Sequence, residues 1–149
     1  SNEPGFLTPT LYNYVGRPDK TAEVVRKTLK ERYNATKEGI PGNDDSGSMS
    51  SWYVFHALGF YPNTGQDLYL ISSPTFEEAV IHLENGRDLS IKAKKASDKN
   101  IYVQSVKLNG EPLDACSFKH TDIANGGTLE FVMGSKPSKW GTVGVENQL

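Results

Sequence analysis

The sequence predicts an α+β chain with its helices first and its strands after. Three observations predict this order. Apolar residues recur at helical spacing over residues 1–62, and the period drops to two from about Asp67. Between them lies a turn-rich stretch, Pro62-Asn63-Thr64-Gly65. The chain therefore divides into a helical segment, 1–62, and a β-rich portion, 63–149, and 149 residues suffice to bury a core.

The elements follow in order. Thr8-Pro9 offers a capping hydroxyl and a proline in the first helical position, and Gly16 a stop. A second helix should start near Pro18-Asp19 and run to about Tyr33. Ala22, Val25, Leu29 and Tyr33 share one face, and Glu23, Lys27 and Glu31 are spaced four apart on the other. A loop from Asn34 to about Gly47 leads to a third helix over about Ser48 to Leu58. Ser46 or Ser48 can cap it. That helix carries Met49, Trp52, Tyr53, Val54, Phe55, Ala57 and Leu58. It is apolar nearly all round, as helices buried on several sides are. Stacked helical layers follow from such a pair.

In the second half, Ala79, Ile81 and Leu83 alternate with polar neighbours up to the turn Asn85-Gly86. Leu89, Ile91 and Ala93 alternate on the return. Ile101 and Val103, then Val106 and Leu108, lead to Asn109-Gly110, and Leu129, Phe131 and Met133 follow Gly126-Gly127. This reads as an antiparallel sheet, one part of a sandwich.

Charge excludes one class of partner. The net charge is −2 and the basic residues are scattered, whereas phosphate binding needs a clustered basic face. Lys92, Lys94, Lys95 and Lys99 do cluster, but Glu84, Asp88 and Asp98 accompany them, as on a solvated face. No nucleic-acid partner is expected. The single cysteine, Cys116, reads as a small core residue. CxxC, HExxH and P-loop patterns are absent, and no apolar run is long enough to span a membrane. No export leader is visible, and a start at Ser1 fits a processed or cut piece.

The most informative stretch is Gly42-Asn43-Asp44-Asp45-Ser46-Gly47, just ahead of the apolar helix. Its plain reading is a turn with a helix cap, since aspartate favours both. An EF-hand beginning at Asn43 is excluded, because glycine is missing at the sixth position and glutamate at the twelfth. An acid–base site is the remaining reading. A glycosidase needs one carboxyl group to protonate the leaving oxygen and another to activate water or attack. Adjacent carboxylates cannot flank both faces of a sugar, so this loop supplies one of the pair. By pattern, Asn2-Glu3-Pro4 is a frayed terminus. Trp52, one or two helical turns beyond the loop, could face the same cavity. His56, His82 and His120 have no ligand spacing and read as structural or exposed.

Taken together, Leu11-Tyr12-Asn13-Tyr14-Val15-Gly16, Gly39-Ile40-Pro41-Gly42-Asn43-Asp44-Asp45, Met49-Ser50-Ser51-Trp52-Tyr53-Val54-Phe55 and Ala57-Leu58-Gly59-Phe60-Tyr61-Pro62 resemble glycoside hydrolase family 92. The similarity continues through Ser73-Pro74, His82-Leu83-Glu84-Asn85-Gly86, Leu108-Asn109-Gly110 and Met133-Gly134. The resemblance implies calcium-dependent, inverting, exo-acting α-mannosidases, many of them α-1,2-specific, built from an amino-terminal β-sandwich and an (α/α)6 barrel. This chain would hold the last barrel helices and the terminal strands. By motif match, Asp45 is the general base, with Asn43 and Asp44 orienting water or sugar. Asn2 and Glu3 match a segment lining the sugar and calcium site, with Trp52 beside them. The resemblance makes Glu3 and Asp45 candidate calcium ligands.

The chain departs from the family pattern at Gly5-Phe6-Leu7-Thr8, where histidines are common, and at Ser48, where glutamine is. The family's general acid lies in a Glu-Gly-Asn-x-x-Trp motif, and this sequence contains none. The implied partners are a mannose-containing glycan and the remainder of the same enzyme. Without that remainder the apolar helix should be exposed, and self-association through it is expected. The implied location is periplasmic, cell-surface or secreted in bacteria. A non-catalytic carbohydrate-binding or structural module is the alternative.

Overall fold

The computed structural model describes residues 3–145, with Glu3 described by its backbone only. Two α-helices, Pro18–Arg32 (α1) and Ser48–Leu58 (α2), form where the helical period places them. Eight strands follow: Phe60–Pro62 (β1), Tyr69–Ile71 (β2), Glu78–His82 (β3), Asp88–Lys94 (β4), Tyr102–Leu108 (β5), Glu111–Pro112 (β6), Ser117–Phe118 (β7) and Gly127–Gly134 (β8). The α+β class is thus the observed one.

The first predicted helix differs in kind. Thr8–Val15 is a 3-10 helix whose N-cap is Leu7, not Thr8, with Thr10 Oγ1 donating back to Leu7 O. It ends at Gly16 as expected, in the left-handed region at φ 68°. A Cβ there would run into Thr142 O. Its Leu11, Tyr12, Tyr14 and Val15 stay exposed, because its buried side chains are the polar Thr10 and Asn13.

The strands form two sheets, in the orders β1-β2-β7 and β3-β4-β8-β5-β6. The larger sheet is mixed. Its β4–β8 pair is parallel, Leu89 opposite Gly127 through Lys94 opposite Val132, where the sequence suggests antiparallel pairing throughout. Alternation fixes which face a residue takes but not which way its neighbour runs. Parallel neighbours need a long connection, and here it carries β5, β6 and β7. The predicted turns form: Gly86 joins β3 to β4, and Asn109 (φ 51°) with Gly110 (φ 82°) joins β5 to β6.

The main core lies on this sheet. Leu89, Ile91, Ala93, Leu129, Phe131 and Met133 project to one face and pack with Phe60, Ile71 and Phe118. Each such side chain contributes roughly 1.5–3 kcal/mol on burial. A smaller cluster, Val25, Leu29 and Trp52, joins the two α-helices.

Polar contacts tie the halves together. Asn13 is fully buried; its Nδ2 donates to Ile71 O (2.7 Å) and Cys116 O (2.9 Å), and its Oδ1 accepts from Thr21 Oγ1 (2.7 Å). Cys116 is buried, as the sequence suggests, and burial pushes its thiol up to about 12. Tyr102 Oη donates to Glu23 Oε1 (3.0 Å), and Arg26 reaches Ser97 O, so α1 is fastened along the sheet half.

Helix α2 is covered on one side only. Met49, Trp52, His56 and Ala57 are buried, but Tyr53 is 39% and Val54 53% exposed, with Phe76 at 52%. The all-round burial expected of so apolar a helix is not reached within this chain, and the exposed apolar face expected of it is present. No helix among the described residues is long and apolar enough to cross a membrane.

Candidate active site

The acidic loop ends in three successive residues with positive φ: Asp45 (44°), Ser46 (61°) and Gly47 (93°). Glycine takes this region freely. A side chain with a Cβ does so at about 1–2 kcal/mol, less for aspartate, which tolerates it best along with asparagine. The loop therefore holds Asp45 and Ser46 in a backbone that local preference does not supply.

Hydrogen bonds hold it there. Asp44 O accepts from Gly47 N (3.1 Å) and Met49 N (3.3 Å). Asp44 Oδ1 accepts from Ser50 N (2.9 Å), and Oδ2 from Ser50 Oγ (3.1 Å). Ser48 donates from its amide (3.4 Å) and its Oγ (2.7 Å) to Asp45 O. The N-cap of α2 is Gly47, so neither Ser46 nor Ser48 caps the helix as the sequence suggests. The Asp44 carboxylate takes that task from further upstream, because the left-handed turn swings it over the helix start.

The two aspartates end in different environments. Asp44 is half-buried and both its oxygens are engaged. Asp45 is exposed, and among the described residues its carboxylate has no hydrogen bond and no ion pair. Asn43 is likewise exposed, with a free side-chain amide. A solvent-facing carboxylate held on a strained turn is the arrangement of a group that meets a ligand or a water.

Aromatic residues form the wall behind the loop. Tyr33 Oη donates to Met49 O (3.1 Å). Burial, helped by the neighbouring Tyr61 and Asp44, pushes this phenol up to about 12, so it remains a neutral donor. Trp52 is only 4% exposed. Its Nε1 donates to Phe6 O (3.0 Å), Tyr33 stacks parallel to it at 5.8 Å, and His56 tilts against it at 4.2 Å. Trp52 edges a cavity of about 290 Å³ lined also by Phe6, Pro9, Tyr33, Pro41 and Met49. None of Asn43, Asp44 and Asp45 lines it. Trp52 is thus a wall and a brace of this chain.

Of the remaining predicted residues, Asn2 lies outside the described residues, and so does the side chain of Glu3. Among the described residues no group of three or more His, Cys, Asp or Glu side chains could hold a metal ion. Asp45 offers a carboxylate without a hydrogen-bond partner among the described residues as an oxygen donor group. His56 is fully buried, its Nδ1 3.0 Å from Ser72 Oγ, and burial lowers it to about 3. His82 and His120 are exposed, His82 Nδ1 lying 2.7 Å from Asp88 Oδ1 and His120 Nδ1 2.9 Å from Tyr69 Oη. Sequence reasoning missed Ser50 and Tyr33. The Asp44–Ser50 spacing is no standard capping pattern, and Tyr33 reads simply as an apolar-face residue of α1.

The sequence profile described as the glycosyl hydrolase family 92 catalytic domain matches residues 1–135. The chain belongs to glycosyl hydrolase family 92. An "uncharacterized secreted glycosidase" of Arthroderma benhamiae is 41% identical over 144 residues, which are 95% of this chain and 19% of that protein. Among solved structures, a family 92 α-mannosidase of Bacteroides thetaiotaomicron in complex with mannoimidazole is 37% identical with a TM-score of 0.89. The match covers 93% of this chain and 18% of that one. A family 92 inverting mannosidase from the same species is 34% identical with a TM-score of 0.87, covering 95% of this chain and 19% of that one. The chain therefore spans about a fifth of the length of these family 92 relatives.

Proposed function

We propose that this family 92 segment supplies the general base of an inverting exo-α-mannosidase that removes terminal, α-1,2-linked mannose from glycans. The observation that supports the reading is the contrast within the loop: Asp44 is engaged by Ser50, while Asp45 is exposed and unpartnered on a left-handed turn. In the proposed reaction Asp45 takes a proton from water as the water oxygen bonds to the anomeric carbon. The glycosidic bond breaks on the opposite face, and the leaving oxygen gains a proton from a carboxylic acid. Inverting enzymes hold those two carboxyl groups roughly 6.5–9.5 Å apart, a span that neighbouring residues on one turn cannot flank. The proton donor is therefore assigned to the part of the enzyme beyond this chain, and the helices here to the end of an (α/α)6 barrel.

A calcium requirement is proposed for the whole enzyme, with Asp45 and Glu3 as ligands beside others outside the described residues; bound calcium would supply a hard Lewis acid for sugar hydroxyls. The secreted relative supports an exported location. The test is Asp45→Asn in the full-length enzyme. Turnover is expected to fall 10²–10⁴-fold, with mannoside binding retained. Proton NMR of the wild-type reaction is expected to show β-mannose as the first product. Turnover unchanged by the substitution would remove Asp45 from the base role.

A further inference from the structure

Asp44 and Asp45 are adjacent in the chain and opposite in what they do with their carboxylates. Both oxygens of Asp44 already accept, one from the amide and one from the hydroxyl of Ser50. Its main-chain oxygen accepts two further amides, those of Gly47 and Met49. Four of the bonds that close the turn on its helix side thus end on this residue, and Ser48 adds two more to Asp45 O. The turn it closes is the one that gives Asp45 its left-handed backbone and its outward heading.

We propose that Asp44 and Ser50 form a positioning clamp: Asp44 grips the first turn of α2 through Ser50 and so fixes where the Asp45 carboxylate points, touching neither water nor sugar itself. This rests on the reading of Asp45 as the base. The clamp needs geometry and not charge. Asparagine at position 44 can present Oδ1 to the Ser50 amide and donate from Nδ2 to Ser50 Oγ, whose hydroxyl rotates to accept. Alanine removes both contacts. Alanine at position 50 removes only the hydroxyl contact.

The experiment compares Asp44→Asn, Asp44→Ala and Ser50→Ala in the full-length enzyme, reading kcat and KM on a mannoside together with hydrogen exchange of the Ser50 amide. Asp44→Asn is expected to keep kcat within about threefold and Ser50 protected. Asp44→Ala should lower kcat by about tenfold or more at little changed KM, with Ser50 exchanging faster. Ser50→Ala should fall between. An Asp44→Asn enzyme as slow as the alanine variant, with Ser50 still protected, would show that the charge acts in the chemistry and would overturn the clamp. Wild-type kcat in Asp44→Ala would overturn it too. Asp45→Asn, run beside them, reports separately: normal turnover there defeats the base reading whatever the Asp44 series gives.

Discussion

His56 should make the protein lose stability in mild acid. Its ring is fully buried between Trp52 and Tyr61, stacked parallel to Tyr61 at 4.8 Å, with Ser72 Oγ as its hydrogen-bond partner. Burial lowers the imidazole to about 3, from an ordinary value of 6.5. The folded protein thus keeps His56 neutral where the unfolded chain protonates it. Between those values the unfolded state binds more protons, so the His56 contribution is complete above 6.5 and shrinks as pH falls toward 3. Each unit is worth about 1.4 kcal/mol. From pH 7 to pH 5 the loss is about 2 kcal/mol, or about 4–8 °C in Tm for a domain of this size. The carboxylates of Asp19 and Glu23, held low by their hydrogen bonds from Arg17 and Lys20, lose their contribution only below their unfolded values and leave this window alone. The assay is thermal or urea denaturation at pH 7, 6 and 5, with His56→Asn as control, since asparagine can still reach Ser72. The control is expected to be flatter than wild type over that range. An equal slope in both proteins would refute the reasoning.

Three further outcomes are expected. Asp45→Gly should raise stability by about 1 kcal/mol, by removing the Cβ from a φ of 44°, while turnover is lost; urea midpoints and kcat measured on one preparation check both. Chelation of the full-length enzyme should slow mannose release and added calcium restore it; a rate indifferent to chelator would remove the metal from the proposal. Tyr53, Val54 and Phe76 should drive self-association of the isolated chain, seen by light scattering, and Val54→Lys should weaken it. A monomer at all concentrations would count against an adhesive apolar face.

Much of this architecture was legible from periodicity. The start of α1 could be read from Pro18 and the extent of α2 from its apolar run between Gly47 and Gly59. The strand faces could be read too, down to a change of parity between Val103 and Val106 that the structure explains as a bulge between Val103 and Ser105. Strand direction could not, because the parallel β4–β8 pairing depends on where the rest of the chain packs. Within the site, the pattern Asn43-Asp44-Asp45 marks the loop, but nothing in it separates the two aspartates. Their different surroundings arise from a left-handed turn and from Ser50, six positions beyond Asp44, and such a distance carries no local signature. The stacking of Trp52 on Tyr33, from a different element, likewise carries no local signature.

Asn13 carries a consequence for biosynthesis. Its side chain binds main-chain oxygens that lie 58 and 103 residues downstream. As the polypeptide leaves the ribosome, this amide can meet Ile71 O first and gains its full set of partners only once Cys116 has emerged, when the early part locks onto the late one. A nascent chain halted before that cysteine would own every residue of the acidic loop and still lack one of the two bonds by which Asn13 ties the Thr8–Val15 segment to the sheet half.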